Sequence, residues 1–466
     1  MTWTRAGIAL GAVVLAAVAL SGGHRDDPRS PAGLPGMPPP LLGVAVVGQG
    51  GRTAAVDAYG DMVDLRAPGP AGRPLVAVSA KRQAAGSVSP GEAIVARAWL
   101  GDGRTLPFWL ADSVWQRYVS GTNVLKTAAR FGDRRVVVVR RAGGPEEVRA
   151  DRSWLSKARP LGPGAPNWAR AMYRRSLLVL RALTDRRSSA VVAGARDGWA
   201  YVWPRDAGAV AIALASAGYR PEARRIVGFL MGLDLNAAAR FDGTGAPVSG
   251  RAAQGDAEGW VAAAARAAGL TRSVTTEGRW KWLDRADYQE GGAGDYLGNA
   301  IASGLSSRRI GSMLETDGEL VRIAGDPDSG LDSTAAWAVR PFPHPALFPA
   351  ARRTLLRLAA HSGRFGIVPS QNWSGGEDPW TAPTAWTAWG LAALAREGDD
   401  ARQARDDRRA ALGLMADLRR AATPLGLLPE RVDARTGLPT STTPLAWSHA
   451  FAIVALRELW PRRAVA

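Results

Sequence analysis

The residues best equipped for chemistry in this chain are tryptophans set beside charges and glutamates set in glycine-rich loops. There are 18 tryptophans among 466 residues. Trp199 and Trp203 lie near Arg205 and Asp206, and Trp373 and Trp380 lie near Glu377 and Asp378. A pyranose has flat apolar faces and a rim of hydroxyls, so a sugar pocket wants an aromatic platform with charged hydrogen-bonding groups at its edge. Trp386 and Trp389, at helical spacing, read instead as core packing. Glu290 stands in DYQEGGAG and Glu430 in LLPERVDARTG. Hydrolysis of a glycosidic bond uses one carboxylic acid to protonate the leaving oxygen and one carboxylate as base. In an inverting reaction the two stand about 6.5–9.5 Å apart. Sequence spacing does not bring the two glutamates face to face, and each alone reads first as a solvated loop residue.

Other chemistries are thinly provided for. The chain has no cysteine, which removes disulfides, thiolate zinc sites and cysteine nucleophiles together. Its four histidines, His24, His344, His361 and His449, are far apart in sequence, so no metal spacing is present and no metal or organic cofactor is expected. No Gly-x-Ser-x-Gly elbow occurs. The formal net charge is +17, almost all of it arginine, since Lys81, Lys126, Lys157 and Lys281 are the only lysines. Those arginines are spread along the chain among Asp and Glu, without a basic run interleaved with stacking aromatics. Nucleic acid is therefore not expected as a partner.

The elements that must position these residues follow from patterning. Arg5 precedes an unbroken apolar run at 6–20 and small residues at 21–23, the pattern of a secretory signal. Residues 1–24 are expected to act as a signal peptide or membrane anchor, which makes the protein extracellular or envelope-bound and confines any membrane contact to this segment. Residues 25–40 are Pro-rich and read as a tether. From 41 to 150, short β-like runs such as RVVVVR at 135–140, punctuated by Gly and Pro, predict a small β-rich domain. From 151 to 466 the period is helical. Asn167 is the expected cap of a first helix, and further helices are expected near 206–218, 221–234, 256–268, 293–308, 347–361, 384–396, 401–421 and 442–458. Nine or ten helices with long loops between them suggest a mainly α toroid of paired helices.

Strings spread over this helical region resemble glycoside hydrolase family 15, the glucoamylases and glucodextranases. WAYVWPRDAGAVAIALASAGY, from Trp199, is similar to the family's first motif, and AAQGDAEGWVAAA, from Ala252, looks like its glutamine-x-aspartate turn. DYQEGGAGDYLGNA, from Asp287, looks like its general-acid loop. SGGEDPW, ending at Trp380, resembles a Gly-x-Pro-Trp turn before a barrel helix. LPERVDARTGLPTSTTPLAWSHA, from Leu428, resembles the catalytic-base segment. SLLVLRALTD at 176–185 fits the family's first barrel helix, and the order is the family's throughout.

The resemblance implies an (α/α)6 barrel preceded by a truncated β-rich domain. It also implies an inverting, exo-acting hydrolase that releases β-glucose from the non-reducing ends of α-linked oligosaccharides or polysaccharides. Glu290 becomes the general acid and Glu430 the general base. Trp199, Trp203, Arg205, Asp206, Asp287, Trp380 and Trp447 become substrate-binding residues. Two positions depart from the pattern: Gln289 stands where tryptophan is usual, and Arg431 where glutamine is usual. A tryptophan would desolvate the acid and raise its pKa, which Gln289 does less well, whereas Arg431 is expected to lower the pKa of Glu430. These departures leave two further readings open. One is a weakly catalytic carbohydrate-binding barrel of the cell envelope, and the other a trehalase or isomaltose-type hydrolase of the same fold.

Overall fold

The computed structural model describes residues 45–78, 93–101, 103, 105–196, 198–270, 285–290 and 292–462. The expected export segment at 1–24 and the tether at 25–40 lie outside the described residues. Among the described residues no helix is long and apolar enough to cross a membrane.

The N-terminal part is β. Strands β1 (Ala45–Gly48), β2 (Thr53–Val56), β3 (Met62–Ala67) and β4 (Arg73–Ala77) form an antiparallel meander. Strands β5 (Arg97–Trp99) and β6 (Thr105–Pro107) pair with each other, and β7 (Ser113–Tyr118), β8 (Leu125–Phe131) and β9 (Arg134–Arg140) form a three-stranded sheet. β9 shows the two-residue period expected of RVVVVR. Val136 and Val138 turn toward a small core around Phe108 and Val114, while Val137 and Val139 face outward. The first meander does not form a separate core. Val46, Val47 and Ala54 join one continuous apolar cluster with Leu177 and Leu180 of the first long barrel helix. Asn123 fastens this junction by donating to the carbonyls of Gly48 (3.0 Å) and Leu178 (2.8 Å).

The rest is a helical barrel. After α1 (Glu147–Leu155) come α2 (Asn167–Leu183), α3 (Pro204–Ser216), α4 (Arg220–Leu230), α5 (Ala257–Ala267), α6 (Leu297–Ala302) and α7 (Ser307–Leu314). A small antiparallel sheet of β10 (Glu315–Thr316), β11 (Glu319–Ile323) and β12 (Asp326–Leu331) follows, then a 3-10 turn at Ser333–Ala338. The chain ends with α8 (Phe348–Ala360), α9 (Thr381–Glu397), α10 (Ala401–Ala421) and α11 (Ala446–Leu459). Six segments pack side by side as a closed inner ring: α3, α5, α6, the 3-10 turn, α9 and α11. α2, α4, α7, α8 and α10 are the outer members among the described residues.

Burial separates the two rings. α3 and α9 are apolar almost all round, as an enclosed helix must be, whereas α10 buries only a stripe through Asp407, Ala411, Leu414, Met415, Leu418 and Ala421. The barrel is not hollow. Trp260 of α5, Trp337 of the 3-10 turn, Trp386 of α9 and Phe451 of α11 meet edge to face, with ring centres 5.1–5.7 Å apart. Trp386 is thus the core residue its helical spacing predicted.

Two expectations need correction, and one element was not foreseen. Asn167 does not cap α2; Pro166 occupies the cap position in extended conformation, and Asn167 is the first helical residue. The helix expected across 293–308 is two, α6 and α7. Gly304, at φ +76°, breaks the run, and Ser306 starts the second helix by accepting from the Arg309 N–H. The β10–β12 sheet at 315–331 was not expected, because its strands are too short and polar to show an alternating pattern.

Candidate active site

The site lies at the N-terminal ends of three inner helices. Trp203, Trp380 and Leu445 occupy the cap positions of α3, α9 and α11, each extended, so the chain enters each helix from one shared rim. Pro204 at the first helical position sets the entry of α3. A cleft of about 420 Å³ opens there. It is lined by Trp199, Trp203, Arg205, Asp206, Glu290, Trp380, Glu430 and Trp447, eight of the nine residues singled out in the sequence.

Asp287 is the exception. It is only 2% exposed and sits behind the acid loop. Its carboxylate accepts from Arg322 Nη2 (3.0 Å) and from the Gln289 N–H (3.0 Å), and its carbonyl accepts from the Glu290 N–H (2.9 Å). Asp287 therefore shapes the loop rather than facing the cleft. The same loop holds Glu290 at φ +58°, a conformation that side-chain-bearing residues seldom adopt without compensation from their surroundings.

Asp206 is the third residue of α3, in its first turn, where it is 3% exposed. Arg205 beside it is held by the glutamine-x-aspartate turn. Its Nη1 donates to Gln254 Oε1 (2.7 Å) and Asp256 Oδ2 (3.1 Å), its Nη2 lies 3.5 Å from Asp206 Oδ2, and its guanidinium carbon stands 4.6 Å from the Trp447 ring centre. Burial pushes the Asp206 carboxyl up to about 7 despite Arg205, with Asp256 and Glu430 adding to the rise.

The backbone of Glu430 is pinned on both sides. Its N–H donates to the Thr442 carbonyl (2.9 Å), and its carbonyl accepts from the Thr381 N–H (3.0 Å). Its carboxylate accepts from the Ser441 hydroxyl and from Trp199. Burial raises its pKa, opposed by Ser441, Arg431, Trp199 and Arg251. Arg431 does pull the pKa down as expected, but desolvation of the partly buried carboxylate is larger, so the net shift is upward.

Gln289 does not shield the acid. Its Nε2 turns inward to the Tyr288 hydroxyl (2.8 Å) and to Asp332 Oδ2 (3.3 Å), leaving Glu290 exposed at the mouth. There Glu290 forms an ion pair with Arg251. Arg251 was missed in the sequence, although it stands three residues before Gln254 in GRAAQGD. Several polar atoms around the cleft are buried with no hydrogen-bond partner among the described residues: Asp206 Oδ2, Gln289 Oε1 and the indole N–H groups of Trp380 and Trp447. Such atoms are costly unless something enters to satisfy them. Donors and acceptors around aromatic faces suit a polyhydroxylated ring. Among the described residues no His, Asp or Glu cluster could hold a metal ion.

No protein-family model matches the chain, and no curated protein matches it by sequence. Solved structures do match it by fold. A wild-type glycosidase structure is similar with a TM-score of 0.51 and 20% identity, over 64% of this chain and 99% of the other. A bacterial glucoamylase complexed with acarbose matches with a TM-score of 0.51 and 16% identity, over 67% of this chain and 58% of that one. The chain has the glucoamylase-type helical barrel.

Proposed function

We propose that this barrel is a glycoside hydrolase of inverting, exo-acting type that removes β-glucose from the non-reducing end of an α-glucoside. The observation that carries the proposal is convergence. Residues from separate motifs between Trp199 and Trp447 line one cleft, among buried polar atoms that have no hydrogen-bond partner among the described residues. On this reading Arg205 and Asp206 hold the terminal glucose over Trp203 and Trp447. Glu290 protonates the glycosidic oxygen, and Glu430 deprotonates the attacking water from the opposite face. The glucoamylase fold and the acarbose complex of one fold relative support an oligosaccharide substrate. We further propose that residues 1–24 carry the barrel out of the cytoplasm.

The test is product analysis by NMR on maltose, isomaltose, trehalose, dextran and starch. Initial β-glucose from any of them is expected, and the responsive substrate names the linkage. Initial α-glucose refutes inversion. Glu290→Gln and Glu430→Gln should each lower kcat by about a hundredfold or more. Sugar binding without turnover in the native protein would replace the hydrolase with a binding barrel.

A further inference from the structure

Three arginines line the cleft, Arg205, Arg251 and Arg431, against three carboxylates, Asp206, Glu290 and Glu430. Arg205 is balanced by Asp206 and Asp256. Arg431 lines the wall, and its Nε is buried without a hydrogen-bond partner among the described residues. Arg251 and Arg240 lie on facing stretches of one loop: the Ala239 N–H donates to the Arg251 carbonyl (3.3 Å), and the Val248 N–H donates to the Arg240 carbonyl (2.9 Å). Each guanidinium carbon stands 5.8 Å from the Trp203 ring centre. Among the described residues Arg240 Nε is buried without a hydrogen-bond partner and no carboxylate pairs with Arg240. Burial and the neighbouring Arg240 both work against the charge on Arg251, so the two cations repel across a partly desolvated space.

Glu290 offsets one of these arginines by pairing with Arg251. A general acid, however, must carry a proton. Once Glu290 is neutral, the lining arginines Arg205, Arg251 and Arg431 outnumber the lining carboxylates Asp206 and Glu430. We propose that the leaving-group side of the cleft binds an anionic substituent, a carboxylate or phosphate borne by the substrate next to the scissile bond, through Arg251 and Arg240. The position rests on the hydrolase reading above, since a cation paired with the general acid lies beside the glycosidic oxygen. The anion replaces Glu290 as the partner of Arg251 and lets Glu290 hold its proton. Guanidinium groups suit this task because their N–H forks match carboxylate and phosphate oxygens.

The test uses a matched pair, α-glucosyl glycerol and α-glucosyl glycerate, which differ by one carboxylate, with α-glucose 1-phosphate as the phosphate arm. kcat/KM and calorimetric binding are measured on the full chain. The glycerate, the phosphate or both should be preferred over the glycerol by about tenfold or more at low salt, and the preference should shrink as salt rises. Arg251→Gln and Arg240→Gln, checked for folding by thermal melting, should each cut that preference to about threefold or less. The favoured arm names the anion. Equal or better use of the glycerol, or a preference that survives both substitutions, overturns the inference and leaves the hydrolase reading standing. Tighter, arginine-dependent binding of the anionic ligands with no glucose released supports the inference and removes the hydrolase. Failure of all three ligands to bind overturns the inference.

Discussion

Replacing Arg205 with methionine tests the electrostatics of the cleft most directly. Methionine fills a similar length without charge, so packing against Trp447 is largely kept. What goes is the cation between Asp206 and Asp256, which are 3% and 1% exposed. Removing one partner of a buried ion pair costs about 3–5 kcal/mol, because the remaining charge is stranded. The loss should also depend on pH, and its sign is fixed. Asp206 already has its pKa raised to about 7, so its proton is held more tightly in the folded protein than in the unfolded chain. Loss of Arg205 raises it further. Below about pH 6 the carboxyl is protonated in both proteins and the substitution costs least. Above pH 7 the native protein releases that proton, while the variant must either keep it or bury a bare charge. The extra penalty is about 1.4 kcal/mol for each unit of further rise. Urea unfolding at pH 6 and pH 8.5, with m-values compared to exclude a change in the unfolded state, measures the difference. Adding Asp206→Asn to the variant should recover part of the loss at pH 8.5. A cost under about 1 kcal/mol, an equal cost at both pH values, or no recovery would refute the account of Arg205 as the counter-ion of this cluster.

Other consequences are simpler to check. In the native protein burial raises Asp57 and Asp332 to about 6 and Glu147 to about 7, alongside Asp206, so the stability these groups carry is complete below about pH 4 and lost as pH rises through 6–7. His449, buried and lowered to about 3, acts in the opposite sense, its contribution being lost as pH falls below about 6.5. Four groups outweigh one, so the unfolding free energy should be larger at pH 5.5 than at pH 8 by an amount on the order of 2–4 kcal/mol; a larger value at pH 8 would show that these carboxyls are ionised in the fold. Gly259→Ala should destabilise by about 1–3 kcal/mol, because a Cβ there would sit 2.1 Å from the Ala302 carbonyl oxygen, where α5 meets α6. Thermal melting reads this directly, and an unchanged midpoint would mean that the two inner helices can part. Ser441→Ala removes a donor to the ionised form of Glu430, so the acidic limb of the kcat/KM profile should move to higher pH. No movement would take Glu430 out of the role of base.

How much of this was legible in the sequence depended on whether the signal was local. Trp203-Pro204-Arg205-Asp206 reads as a helix entry because a proline fixes the first turn, and α3 begins at Pro204. Trp386 reads as core because its spacing is helical, and it sits at the centre of the aromatic plug. The groups that were missed depend on partners far away in the chain. Arg251 looks like any loop arginine until the fold brings it against Glu290, 39 positions later. Asp287 was expected in the cleft, but Arg322, on a strand the pattern did not reveal, draws it inside. The net rise at Glu430 has the same origin: Arg431 is visible as the next letter and lowers the pKa as expected, whereas the tertiary burial that outweighs it is not written in the local sequence. Charge in this cleft is therefore set by tertiary burial more than by neighbouring residues. The site holds its exposed glutamate against an arginine and its partly buried glutamate with a raised pKa, opposite to what acid and base need. A substrate that seats on Arg251 changes both terms at once: it frees Glu290 to take a proton and adds a negative charge that Arg251 must share. Direct titration of the two glutamates, with and without α-glucosyl glycerate, distinguishes a site completed by its ligand from one already poised.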